Sequence, residues 1–204
     1  MSLIEMNIPS PKNLRGGWAA LAAVYAARGW GSDVYATENQ WCYHDGGGNW
    51  ICLRFKNQEQ CILIGHDHEY TETYYGKAAE YFGEQETNIL EGAPDWWSFD
   101  LSLPLFGEWI GFVYGWDGEK WQRVNYSVND GYEDIDLLEV CSINATELLS
   151  EYASDAPGLG GQPPSAQALA ALVAADGEIT PALLEAVVPG WDIEAGVAAA
   201  RKFI

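Results

Sequence analysis

Residues 41–65 read WCYHDGGGNWICLRFKNQEQCILIG, and their patterning decides the fold. Short runs rich in aromatic and branched residues are separated by two turn-forming clusters, Asp45-Gly46-Gly47-Gly48 and Lys56 to Gln60. Strand, turn, strand, turn, strand is the signature of an antiparallel meander. A one-residue slip would flip every side chain to the other face, so the register matters. If Asp45 faces Asn49 across the glycines, Trp41, Tyr43, Ile51, Leu53 and Phe55 share a core face, expected to continue through Ile62 and Ile64. That register sets Cys42 opposite Cys52 and is expected to point His44 away from His66. The alternative, His44 facing Asn49, puts His44 in a row with His66 and gives a poorer core face.

Outward from the meander, Asp33 to Ala36 reads as a further strand. Residues 1–13 read as an extended arm ending at Ser10-Pro11, and an amphipathic helix is expected from Leu14 or Gly17 to Arg28, with Gly29 and Gly31 suited to its C-terminal cap. Beyond the meander, Glu72 to Phe82 reads as a helix ended by Gly83, with Tyr75, Ala78, Ala79 and Phe82 on one face. Trp109 to Trp116 and Trp121 to Val124 form a second hairpin around Asp117-Gly118, with Tyr114 across from Trp121. Asn129-Asp130-Gly131 signals a turn, Leu137 to Ser142 a strand, and Asn144 the cap of a helix from Ala145 to Tyr152. The fold class is α+β: an antiparallel β-meander and hairpins packed with helices, plus a small helical C-terminal subdomain. In domain terms, residues 1–154 form an acidic α+β body and 155–164 (DAPGLGGQPP) a Pro/Gly linker. Residues 165–204 form an Ala-rich helical appendage in three pieces, Ser165 to Ala175, Pro181 to Val188 and Asp192 to Phe203. About forty residues are marginal for independent folding, so this tail is expected to dock.

The chain carries 30 acidic and 10 basic residues, a net charge of −20, and the first 159 residues hold 25 of the acids against eight bases. Such a potential repels phosphate backbones and anionic membranes, which argues against both as partners. It suits a basic protein, because opposite potentials speed encounter and suppress wrong partners. Cys42, Cys52, Cys61 and Cys141 form no Cys-x-x-Cys pair and read as buried reduced thiols. The apolar stretch Trp18 to Ala27 is too short to span a bilayer, and a cytoplasmic location is expected.

All three histidines lie within residues 44–68, two of them in His66-Asp67-His68-Glu69. With Glu72 this spells H-x-H-x-x-x-E, and imidazoles two apart on an extended chain face the same way. His66, His68 and either Glu69 or Glu72 are therefore the candidate ligands of one divalent metal ion. The pattern resembles the first metal motif of cupins, which implies a β-barrel site of two His and a Glu. It departs from that motif in its framing glycines and in having no later histidine. Against the metal reading, His68, Glu69 and Thr71 can serve as the polar cap of the following helix, with no cofactor at all. Nucleophile-elbow, phosphate-loop and dinucleotide fingerprints are absent from the sequence. The candidate partner surface is aromatic and acidic: Trp96 and Trp97, with Asp130, Glu133, Asp134 and Asp136; if buried instead, the tryptophans are large core residues for a domain built from short strands.

The stretches Gly29-Trp30-Gly31, Trp41 to Trp50, Gly65 to Tyr75 and Gly92 to Trp97, with the Ala-rich tail, resemble a group of uncharacterised acidic actinobacterial proteins. That resemblance implies a bacterial, high-GC origin and no particular activity. In size, charge and compartment the profile also resembles immunity proteins that neutralise secreted nuclease toxins, an analogy of class with no shared motif. The expected function is a non-enzymatic acidic interaction module for a basic protein partner, with no cofactor. The alternative is a metal-dependent enzyme or metal-binding protein built on His66-x-His68.

Overall fold

In the computed structural model, which describes residues 2–101, 109–135 and 145–204, the chain is α+β. Its strands are β1 (Leu3–Met6), β2 (Val34–Thr37), β3 (Gln40–His44), β4 (Trp50–Phe55), β5 (Cys61–His66), β6 (Phe112–Trp116) and β7 (Trp121–Val124). Its α-helices are α1 (Pro11–Arg28), α2 (Lys77–Phe82), α3 (Ala145–Ala153), α4 (Ala166–Ala174), α5 (Pro181–Glu185) and α6 (Ile193–Ala200). The seven strands make one antiparallel sheet in the order β1-β7-β6-β5-β4-β3-β2. Among the described residues no helix is long and apolar enough to cross a membrane. The chain divides into two compact units, one of residues through Ser10 with Cys42–Ile135, the other of Pro11–Trp41 with the chain from α3 onward.

In the first unit the triglycine hairpin takes the register that core logic favours. Asp45 N–H donates to the carbonyl of Asn49 at 3.2 Å, and the Asp45 carboxylate accepts from Gly47 and Asn49 N–H. Cys42 and Cys52 therefore face each other, with Cα atoms 4.2 Å apart, and they are joined as a disulfide. The expectation of reduced thiols is wrong for this pair: facing positions on a hairpin bring two thiols within bonding reach. Closing a loop across ten residues contributes about 3 kcal/mol in the chain-entropy account. Cys61 stays free and buried; Cys141 lies outside the described residues.

The next turn corrects the core face. Asn57 accepts from Glu59 and Gln60 N–H through its side chain, and Lys56 N–H donates to the carbonyl of Gln60. This turn pairs Phe55 with Cys61, Leu53 with Leu63 and Trp50 with His66. Ile51, Leu53 and Phe55 thus share their face with Leu63 and Cys61, while Ile62 and Ile64 lie on the other face with Cys52. The same parity sets His44 in the row of Trp50 and His66, although the hairpin register is the one expected to separate them. In the second hairpin Trp116 pairs with Trp121 and Tyr114 with Arg123, two residues displaced from expectation. Gly118 (φ 103°) and Glu119 are the central turn residues, and the Asp117 carboxylate accepts from Glu119 and Lys120 N–H. The N-terminal arm is itself a strand, with Leu3 opposite Val124 and Met6 opposite Trp121.

The second unit is built on α1. This helix is buried on nearly every side, from Leu14 through Val24 apart from Arg15, so it is a core helix rather than the amphipathic one expected. Small residues let its neighbours approach: a Cβ on Gly16 would lie 2.5 Å from the carbonyl oxygen of Val173, and one on Gly196 would lie 2.6 Å from that of Ala23. Polar contacts complete the docking of the tail on α1. Arg15 binds the Asp176 carboxylate through Nε and Nη2, and Asp192 N–H donates to the carbonyl of Ala27 at 3.1 Å. The Pro/Gly stretch is ordered too, with a 3-10 turn at Pro157–Leu159 and Gly158 N–H donating to the carbonyl of Pro189 at 2.9 Å. The expected strand Leu137 to Ser142 and the cap Asn144 lie outside the described residues.

Candidate functional site

The histidine tetrad becomes a tight turn organised by Asp67, a residue the sequence pattern does not single out. The Asp67 carboxylate accepts from the N–H groups of Glu69 (2.9 Å) and Tyr70 (2.8 Å). Its own N–H donates to Thr71 Oγ1, and Thr71 N–H returns to its carbonyl. His66, the last residue of β5, is buried with its ring 4.4 Å from that of Trp109. Burial holds its imidazole down to a pKa of about 4; the Asp67 carboxylate partly opposes the shift and His68 adds to it. Among the described residues His66 Nδ1 meets no hydrogen-bond partner.

The other candidate ligands turn elsewhere. His68 is exposed, and its backbone N–H and Nδ1 both meet Asn49 Oδ1 at the triglycine hairpin. Glu69 is exposed, 3.9 Å from His68 Nε2, and Glu72 accepts from Asn129 N–H at 3.4 Å. Among the described residues no group of three or more His, Cys, Asp or Glu is placed to hold a metal ion.

His66 gives the fold an acid-side dependence whose sign follows from its lowered pKa. Between pH 6.5 and about 4 the unfolded chain binds a proton that the folded chain refuses, so stability falls as pH falls through that window. Urea unfolding at pH 7 and pH 4.5 should show a smaller loss in His66→Gln than in the parent chain. Equal losses would show that the imidazole takes its proton without unfolding.

The acidic partner candidates divide between core and surface. Asp130 is buried, its Oδ2 accepting from the hydroxyls of Tyr114 (2.8 Å) and Tyr126 (2.6 Å) and its Oδ1 from Tyr132 N–H (3.2 Å). It fixes the turn after β7 and offers no free carboxylate to a partner. Trp97 is also core, because Gly115 on β6 leaves room for its indole, whereas Trp96 is half-buried with the Lys56 ammonium 5.4 Å from its ring. Glu133 and Asp134 are exposed, Asp134 accepting from Asn129 Nδ2 at 3.1 Å. Asp136 lies outside the described residues.

Among the described residues, one surface that combines exposed aromatics with acids lies around α2. This helix starts at Lys77, five residues later than expected, because the chain from Thr71 to Thr73 is bound elsewhere. The Trp109 indole N–H donates to the carbonyl of Thr73 at 2.7 Å, and the Thr73 hydroxyl donates to the carbonyl of Gly111. Gly83 (φ 69°) ends the helix as expected. Tyr74 stacks on Trp109 with ring centres 5.0 Å apart, Phe82 lies 4.8 Å from Trp109, and Tyr81 lies 4.9 Å from Phe82. Tyr81 is 84% exposed and Phe82 49%. Sequence periodicity groups Phe82 with Tyr75, Ala78 and Ala79 on one face of a longer helix; in the six-residue helix Ala78 and Ala79 are buried and Phe82 stays open. A hollow of about 330 Å³ is lined by Lys77, Ala78, Tyr81, Phe82 and Trp109.

Tyr74 lines a second cleft, of about 580 Å³, together with Glu72, Glu84, Glu86 and Tyr126. Local hydrogen bonds hold that lining in place: Gly76 N–H donates to Glu86 Oε1, Tyr74 N–H to Thr87 Oγ1, and Thr87 N–H to the carbonyl of Tyr74. Tyr74, which lines the acidic cleft, thus touches Trp109 and Phe82, which line the aromatic shelf. The sequence signal was Tyr81-Phe82-Gly83-Glu84-Gln85-Glu86, two large aromatics running straight into acids across a helix stop. No protein-family model matches the chain, and no curated protein and no solved structure is similar to it.

Proposed function

We propose that this chain is a non-enzymatic interaction module that binds a basic protein, as an inhibitor covering a cationic surface would. One observation carries the reading: Tyr81 and Phe82 are exposed on α2, and Phe82 lies 5.7 Å, ring to ring, from Tyr74, which lines a cleft carrying three glutamates. Exposed aromatics supply the buried area of a binding hot spot, and carboxylates around them set the charge of the partner. The net charge of −20 adds long-range attraction that speeds encounter at low salt. The Cys42–Cys52 bridge favours a compartment that keeps disulfides over the cytosol that the composition suggests. The alternative, a divalent metal on His66 and His68, has the unpaired neutral imidazole of His66 in its favour and the separate orientations of its ligands against it.

The test separates local recognition from bulk charge. Calorimetric titration with a cationic peptide is compared for the parent chain, Glu72→Gln/Glu84→Gln/Glu86→Gln and the control Glu147→Gln/Glu151→Gln/Glu194→Gln. The two triple variants carry the same net charge. Cleft neutralisation should weaken binding about tenfold, near 1.4 kcal/mol, and the control should barely change it. Equal weakening in both would leave only nonspecific attraction and end the proposal.

A further inference from the structure

On the strength of that reading, we infer that the basic partner presents arginine, with its guanidinium laid against the aromatic shelf of α2 and its N–H groups directed to the glutamates of the adjoining cleft. The shelf supplies the first half of the recognition. Tyr81 and Phe82 keep 84% and 49% of their surface open, and the hollow of about 330 Å³ beside Trp109 is apolar. An apolar hollow alone would accept many side chains. Its surroundings narrow the choice, since Glu80 and Glu84 are exposed on the same short segment and Glu72 and Glu86 line the neighbouring cleft.

A second copy of this chain would bring those glutamates against their own kind, at a net charge of −20 per chain, which disfavours self-association. Between the two cationic side chains, lysine is a compact, strongly hydrated charge. Arginine is flat and weakly hydrated, and it can stack on a ring while binding a carboxylate edge-on. The protein uses that chemistry on its own arginines. Arg28 lies 3.9 Å from the centre of the Trp30 ring while its Nη2 binds Asp155. Arg123 lies 4.6 Å from the centre of the Tyr126 ring, and Tyr126 itself lines the acidic cleft. At about 580 Å³ the cleft is of a size that holds small ligands, and a short extended arginine-bearing segment fits it.

The experiment titrates the full chain with two decapeptides that differ only in carrying arginine or lysine at alternate positions among glycines, followed by fluorescence anisotropy. The arginine peptide should bind about fivefold more tightly, the scale of an exposed cation–π contact. Tyr81→Ala/Phe82→Ala should erase the preference while leaving weaker, salt-sensitive binding of both peptides. Tyr81→Ala alone, at the most exposed ring, should keep the parent's melting temperature and lose part of the preference, which guards against misfolding as the explanation. Equal affinities in the parent chain would overturn the arginine assignment and leave the basic-partner reading standing; failure of both peptides to bind would overturn both. A dimer in sedimentation that Tyr81→Ala dissolves would make a second copy the occupant of the shelf and overturn the inference.

Discussion

Trp97→Ala should lower the unfolding free energy by about 3–5 kcal/mol, the usual cost of deleting a buried aromatic side chain. The indole sits on the 3-10 turn Asp95–Ser98 and is 1% exposed. It lies so close to Gly115 that a Cβ there would come 2.1 Å from Trp97 Cε2. Gly115 pairs with Ile62 on one side and Gln122 on the other. A methyl at this position must therefore push the indole outward, and Gly115→Ala should cost about 1–3 kcal/mol by overpacking. The informative protein is the double variant. With the indole gone the new methyl has room, so Gly115→Ala should cost little in the Trp97→Ala background, and the two effects should be far from additive. Urea unfolding of the four proteins measures this cycle, and strict additivity would mean that the indole does not rest on Gly115.

Asp130→Ala is the second large expected loss, again about 3–5 kcal/mol, because it removes two charge-assisted hydrogen bonds and strands both phenol hydroxyls in the interior. Tyr114 and Tyr126 meet the same carboxylate oxygen. Burial raises both phenol pKa values above the ordinary 10.0, and the Asp130 charge raises them further. A raised folded-state pKa contributes stability that is present below pH 10 and lost as pH climbs above it, since only the unfolded chain then gives up its protons. Chemical unfolding at pH 8 and pH 10.5 should show a steep alkaline loss in the parent chain and a shallower one in Tyr126→Phe. A parent chain equally stable at both pH values would mean that the phenols ionise freely in the folded protein.

The meander was legible because aromatic and branched residues alternate across two clear turns, and the Asp45–Asn49 pairing follows from keeping Trp41, Tyr43, Ile51 and Leu53 together. The face of β5 was not, because the parity of the second turn depends on Asn57 gathering the N–H groups of Glu59 and Gln60. No hydrophobic pattern decides that when β5 is buried on both sides, as its whole length is. β1 was read as an arm since its partner β7 is more than a hundred residues away and leaves no local trace. The sequence leaves Trp97 open between core and partner surface and places Asp130 with the acidic surface; a facing glycine takes in the one and two phenols take in the other. The shelf at Tyr81 and Phe82 was hidden by a helix drawn five residues too long, an error made by the Trp109 indole, whose hold on Thr73 periodicity cannot see.

The bridge between Cys42 and Cys52 spans ten residues and lies within one hairpin. Both cysteines sit on β3 and β4, the two arms of that hairpin. During synthesis those strands emerge well before the residues of α3 to α6 exist, so the hairpin can be covalently locked on a half-made chain. Timed capture of unpaired thiols in a refolding or translating sample would then date the birth of this hairpin separately from the closing of the sheet.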